Sequence, residues 1–97
     1  MLIKKHKTHD GRLLLAICDE DILDQLFEED EAQLDLSSPF FKGDKYNESD
    51  AIKLIKTANL LNVVGKKATA LLVKIGLTKK ENLKRIANVP HILVSIE

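Results

Sequence analysis

Leu13-Leu14-Leu15-Ala16-Ile17-Cys18 is a run of six residues with no polar side chain. This run restricts the possible folds more than any other feature of the chain. It is too short for a buried helix, and a strand exposed to water on one face would alternate polar with apolar residues. An unbroken apolar strand therefore needs cover on both faces and a central place in its sheet. Leu2 to Lys7 precedes it across Asp10-Gly11, and aspartate and glycine tolerate the positive φ of a two-residue type I′ turn. The two runs are thus expected to form an N-terminal hairpin with Asp10-Gly11 at its tip.

Both faces of this strand must be covered from only 97 residues. A chain of this size buries roughly 60–70% of its unfolded surface, which is enough for one core and one domain, residues 1–97. At 44% hydrophobic residues and zero formal net charge the composition is not that of a disordered tail. No apolar stretch approaches the ~18 residues of a bilayer span, and no secretory signal pattern follows Met1. Cys18 is the only cysteine, so neither an internal disulfide nor a cysteine-rich zinc site can form. A protein of the cytoplasm, with no membrane association, no metal and no cofactor, is the expectation.

Further along, Asp19 offers a side-chain oxygen to a helix start, and Ile22, Leu23, Leu26 and Phe27 are spaced to share one helical face. A short helix is expected there. An acidic turn and the alternating Gln33-Leu34-Asp35-Leu36 then predict a second strand pair, ended by Ser37-Ser38-Pro39. Asn47, with Asp50 three residues on, caps a helix carrying Ala51, Leu54, Ile55 and Ala58. Leu60 to Val64 reads as a short buried strand or extended link. Gly65 then leads into a helix bearing Ala68, Leu71, Leu72 and Ile75, with Gly76 in the C′ position. Thr78 and Glu81 fit a capping box for one more turn, residues 83–87 are compatible with helix or strand, and Ile92 to Ile96 is a β-branched strand. The fold class is α+β: a mixed sheet that starts with the hairpin, with helices mainly on one face.

Several segments, taken in order, resemble one family, the archaeal Domain of Unknown Function 424 family. They are Ala16-Ile17-Cys18-Asp19, Phe40-Phe41-Lys42-Gly43, Asn62-Val63-Val64-Gly65-Lys66 and Val89-Pro90-His91. The resemblance spans nearly the whole chain and implies a small archaeal, cytoplasmic α+β protein, without supplying catalytic roles. The chain departs from the family pattern at Asp24 and Asn88, where glycine is usual. It departs again at Ile92-Leu93, where a small residue and glutamine follow.

Charge is segregated along the chain. Ile17 to Leu36 holds nine acids and no base, whereas Ala51 to Ala87 holds nine bases and one acid, Glu81. Either the two blocks lie against each other or the basic one is open to an anionic partner. Asn62, Gly65, Lys66 and Lys67 lie where a strand meets a helix N-terminus, a setting in which main-chain N–H groups and lysines hold phosphate. The sequence lacks both G-x-x-x-x-G-K-[ST] and G-x-G-x-x-G, so the expectation stops at a phosphate contact, as on an RNA backbone.

A non-enzymatic module of the RNA and translation machinery leads, its basic face made of Lys53, Lys56, Lys66, Lys67, Lys74, Lys79, Lys80, Lys84 and Arg85. Structured RNA or a ribonucleoprotein is the partner, since exposed aromatics for stacking on single strands are scarce. His6 and His9 read as surface histidines. The alternative is a small enzyme in which His91, set by Pro90, lies near Cys18 and Asp19 in a cleft lined by Phe40 and Phe41, beside Lys42 and Gly43. A third reading is an adaptor that uses the acidic segment. The oligomeric state is left open.

Overall fold

The computed structural model describes residues 1–96. In chain order the regular elements are β1 (Leu2–Lys7), β2 (Leu13–Cys18), β3 (Leu26–Glu29), β4 (Ala32–Asp35), β5 (Asp44–Lys45), α1 (Glu48–Ile55), β6 (Leu60–Val64), α2 (Lys66–Lys74), β7 (Lys84–Ile86) and β8 (Val89–Ser95). Six strands form one mixed sheet in the order β5-β1-β2-β6-β8-β7, and β3 and β4 form a separate two-stranded ribbon. The apolar strand β2 lies inside the sheet, antiparallel to β1 and parallel to β6. This is the α+β arrangement expected from the sequence, with the N-terminal hairpin in place.

Strand register sorts the core into two layers. Ile3, Leu15, Ile17, Leu61 and Val63 point to one face, where they meet Ala51, Ile55 and Ala58 of the α1 segment and Ala68, Leu71 and Leu72 of α2. Asn47 accepts the Asp50 N–H at the start of α1. After α2, the Gly76 N–H donates to the Val73 carbonyl and the Leu77 N–H to that of Leu72, the paired bonds of a Schellman stop with Gly76 at φ +81°. The opposite face carries Ala16, Cys18, Val64 and Val89. Leu36 and Phe41 cover it, with Ile22, Leu23, Phe27, Leu34 and Phe40 partly buried around them.

Local structure departs from the sequence expectation at three places. The first hairpin closes through the three residues His9-Asp10-Gly11, since Thr8 and Arg12 still face each other and only Gly11 has positive φ. It is a type I turn completed by a glycine bulge, steadied by the Thr8 hydroxyl bonding the Asp10 carboxylate. The helix expected after Asp19 is a 3₁₀ turn, Glu20–Ile22, followed by β3. Phe27 turns inward while Leu26 stays 49% exposed, because pairing with β4 satisfies more main-chain groups than a two-turn helix would. The Thr78–Glu81 capping box does not form. Lys79 is extended, Lys80–Asn82 is a 3₁₀ turn, and residues 84–86 join the sheet edge as β7.

Candidate functional site

Three of the resembling segments, those holding Asp19, Gly65 and Pro90, converge at the end of the sheet where β2 and β6, running parallel, both finish. Cys18 pairs with Val64, so the next residues, Asp19 and Gly65, lie side by side. Ligand sites on parallel strands favour such carboxyl ends. Here the anion is supplied from within: the Asp19 carboxylate accepts the N–H of Lys67 at 2.9 Å and of Ala68 at 2.8 Å. Asp19 is 5% exposed. It caps a helix as its residue type predicts, but the helix is α2, 48 residues away, and no cap bond forms to the turn that follows it.

Gly65 is required there for two reasons. Its φ is +115°, and a Cβ on it would collide with the Asp19 side chain. Its N–H donates to the Pro90 carbonyl at 2.9 Å, which ties the start of β8 to the same point. The main-chain half of the expected phosphate cradle is therefore occupied by Asp19, leaving the side chains of Lys66 and Lys67, both exposed, to face solvent. Asn62 does not join them. Its Cα lies opposite Ala16 and Leu93, and alternation puts its side chain on the sheet face away from α2.

The Phe40-Phe41-Lys42-Gly43 loop has packing roles. Phe41 is buried against the second core. Phe40 stacks on His6 with ring centroids 4.3 Å apart, and His6 Nε2–H donates to the Phe40 carbonyl. His6 is thus a fastened, half-buried residue rather than a solvated one. Lys42 pairs with Asp24, and Gly43 lies against the Ile3 main chain with no room for a Cβ.

The cleft that would join His91 to Cys18 is absent from the described residues. The two share a sheet row, but Val64 stands between them. Two strand spacings put them about 10 Å apart. Cys18 is fully buried, and burial, with the Asp19 charge next, pushes its thiol up to about 12, the opposite of an activated nucleophile. His91 is partly buried, and desolvation, then the Lys84 charge, lower its pKa. Among the described residues no group of three or more His, Cys, Asp or Glu gathers to hold a metal ion. No described helix is long and apolar enough to cross a membrane.

Another feature emerges only from the tertiary structure. Lys66 from the start of α2, Lys80 from the 3₁₀ turn and Arg85 from β7 line one hollow of about 320 Å³. Its floor is Ala70, Val73, Leu83 and Pro90, with Thr69, and no carboxylate lines it. Among the described residues none of the three cations is in an ion pair. Ion pairs elsewhere join Lys42 to Asp24, Lys45 and the N-terminus to Glu20, and Lys74 to Glu48. No ion pair among the described residues joins the acidic block to the basic one, although the two blocks touch where β3 and β4 meet β7 and where Glu29 accepts the Ala87 N–H. In sequence, Lys80 and Arg85 are two bases among nine, because only the return of the chain through the 3₁₀ turn and β7 brings them to Lys66. Beside this hollow lies a smaller one of about 270 Å³, where Asp19 and Asp21 face Lys66 and Lys67 next to the Ala87-Asn88 turn.

The family described as "Protein of unknown function (DUF424)" matches residues 6–95. No curated protein matches the chain. Among solved structures, the chain is similar to the crystal structure of an uncharacterized conserved protein from Methanopyrus kandleri. That similarity has a TM-score of 0.81 at 27% identity, over 99% of this chain and 93% of that one.

Proposed function

The chain belongs to the DUF424 family of proteins of unknown function, and from that premise we propose that it is a non-enzymatic binding module which grips the phosphate backbone of RNA. The observation that carries this reading is the convergence of Lys66, Lys80 and Arg85 on one hollow that no carboxylate lines. Three cations in no ion pair on a concave surface make a local positive field, and low-dielectric walls concentrate it. Arginine supplies planar, forked donors for phosphate oxygens, and the lysines act as point charges. The floor of Val73, Leu83 and Pro90 suits the sugar between phosphates. Lys67, exposed next to Lys66 on α2, extends the positive surface.

Structured RNA or a ribonucleoprotein is the partner class. Single-strand readers stack bases on exposed aromatic rings. Here Phe41 is buried and Phe40 is already stacked on His6. A cytoplasmic location follows from this reading.

The test is a salt titration of binding to a structured RNA duplex or hairpin. Each phosphate neutralised contributes roughly −0.7 to −0.9 to the slope of log affinity against log salt. Replacing Lys66, Lys80 and Arg85 together by Ala is expected to flatten that slope by up to about three contacts. Replacing Lys53 of α1 and Lys56 at its C-cap leaves it unchanged. Absence of binding at low salt, or equal slopes for wild type and triple variant, contradicts the reading.

A further inference from the structure

The main sheet has two open edges, and they are built differently. Past Ile3, where β5 stops, the outer edge of β1 carries Lys4, Lys5 and Lys7. Charges of this kind keep an edge from pairing with another strand. At the other side β7 covers β8 only from Val89 to His91. The chain then continues as Ile92-Leu93-Val94-Ser95-Ile96, with no charge and no described strand on its outer side. Leu93 is 74% exposed.

Two hydrogen bonds tell which main-chain groups are free. The Gly65 N–H donates to the Pro90 carbonyl and the Ile96 N–H to the Asn59 carbonyl, both on the β6 side. Even-numbered residues of β8 thus turn their main-chain groups toward β6, and Leu93 and Ser95 turn theirs outward. Alongside runs a slot of about 480 Å³ whose residues outside β8 are Leu77, Thr78, Asn82 and Lys84.

We propose that this edge pairs antiparallel with the same edge of a second copy, about a two-fold axis at Val94. In that register Leu93 stands opposite Ser95 of the second copy and the two exchange both main-chain bonds, which makes four bonds across the axis. Val94 meets its own counterpart at a non-hydrogen-bonded position, and Ile92 meets Ile96 on the face where Leu77 adds apolar surface. The pairing ends at Ile92, so β7 is not in its way. The symmetry of the segment about Val94 selects a second copy as the occupant, and its lack of charge leaves nothing to repel one. The segment is uncharged, apolar at both ends and at its centre, and the chain's formal net charge is zero. The same pairing at the β1 edge would set lysines against lysines. Five paired residues bury less than the roughly 1,200–2,000 Å² of a durable interface, so the dimer dissociates on dilution.

Sedimentation velocity across micromolar to millimolar protein is expected to show a concentration-dependent dimer. Leu93→Lys, which places two cations beside the axis, is expected to remain monomeric with an unchanged thermal midpoint, since Leu93 lies mostly in solvent. Val94→Cys is expected to crosslink to itself under mild oxidation, and Leu93→Cys is not, because only directly opposite Cβ atoms approach to about 4.5–5.5 Å. The native Cys18 is fully buried and does not compete. A protein that stays monomeric at millimolar concentration overturns the proposal, including one whose slot captures a foreign strand instead. A dimer indifferent to Leu93→Lys, or equal crosslinking at positions 93 and 94, also overturns it.

Discussion

The two faces of the sheet are closed by different means. On one, α1 and α2 present apolar residues at helical spacing to alternate residues of β1, β2 and β6, and every contact follows from a periodic pattern. On the other, a two-stranded ribbon, two 3₁₀ turns and a loop converge on Cys18 and Val64. These pieces hold position through single contacts: the Glu29 carboxylate accepts the Ala87 N–H, His6 Nε2–H donates to the Phe40 carbonyl, and the Asp24 main-chain N–H donates to the Leu36 carbonyl. The difference teaches where the resembling segments come from. They gather on this second face, where Ala16, Cys18, Phe41, Val64 and Val89 share one core, rather than under the helices, whose regular faces tolerate many apolar substitutions.

The largest expected effect compares one substitution on both faces. Leu72→Ala under α2 and Leu36→Ala under the ribbon each empty a fully buried site. Each is expected to cost about 2–5 kcal/mol, with Leu72 the higher, since packed helices collapse into a cavity less readily than turns do. Urea midpoints check the order, and a larger loss at Leu36 breaks the comparison. Next, Asp19→Ala removes two charge-assisted bonds at the joint between the faces and is expected to cost about 2–3 kcal/mol. Because a Gly65 Cβ would meet the Asp19 side chain, Gly65→Ala is expected to cost less in the Asp19→Ala background than alone. Additive losses would show that backbone conformation at Gly65, rather than the carboxylate, forbids a side chain.

The smallest effect is in pH. The pKa of His91 is lowered in the fold by burial and by Lys84, so the unfolded chain takes up the proton first as pH falls. Its contribution to stability is complete above the unfolded value, near 6.5, and is lost as pH drops below that toward the folded value. His91→Gln is expected to flatten the stability profile in that window. An unchanged profile assigns the slope to other groups.

Much of the fold was legible because its determinants are local. Asn47, the Ala51 and Ala68 helix faces, Gly76 and the apolar β2 each act within a turn or two of chain. What escaped was long-range. Asp19 has the residue type of a cap and sits at a plausible start, but its partners come from a strand pairing 46 residues distant in sequence. The β7–β8 turn was hidden because Ala87 adopts φ +50° beside Asn88 at +66°, and alanine does not advertise a left-handed conformation. Asn88 and Asp24, the two positions where the resembling family usually has glycine, both have positive φ. Asparagine and aspartate adopt that region more readily than other side chains, so these departures keep the backbone intact. The cationic hollow escaped in the same way, since three bases from three elements share no spacing rule.

The reading of the basic surface is tested most directly by following backbone amide shifts of the folded protein as a short RNA hairpin is added. The expected shifts cluster at Ala70, Val73, Lys80, Leu83 and Arg85 around the hollow. The Lys67 and Ala68 amides, held by Asp19, are expected to move little. Shifts led by Lys67 and Ala68 would mean that phosphate displaces the carboxylate at the helix start, and no shifts around the hollow at low salt would contradict the account.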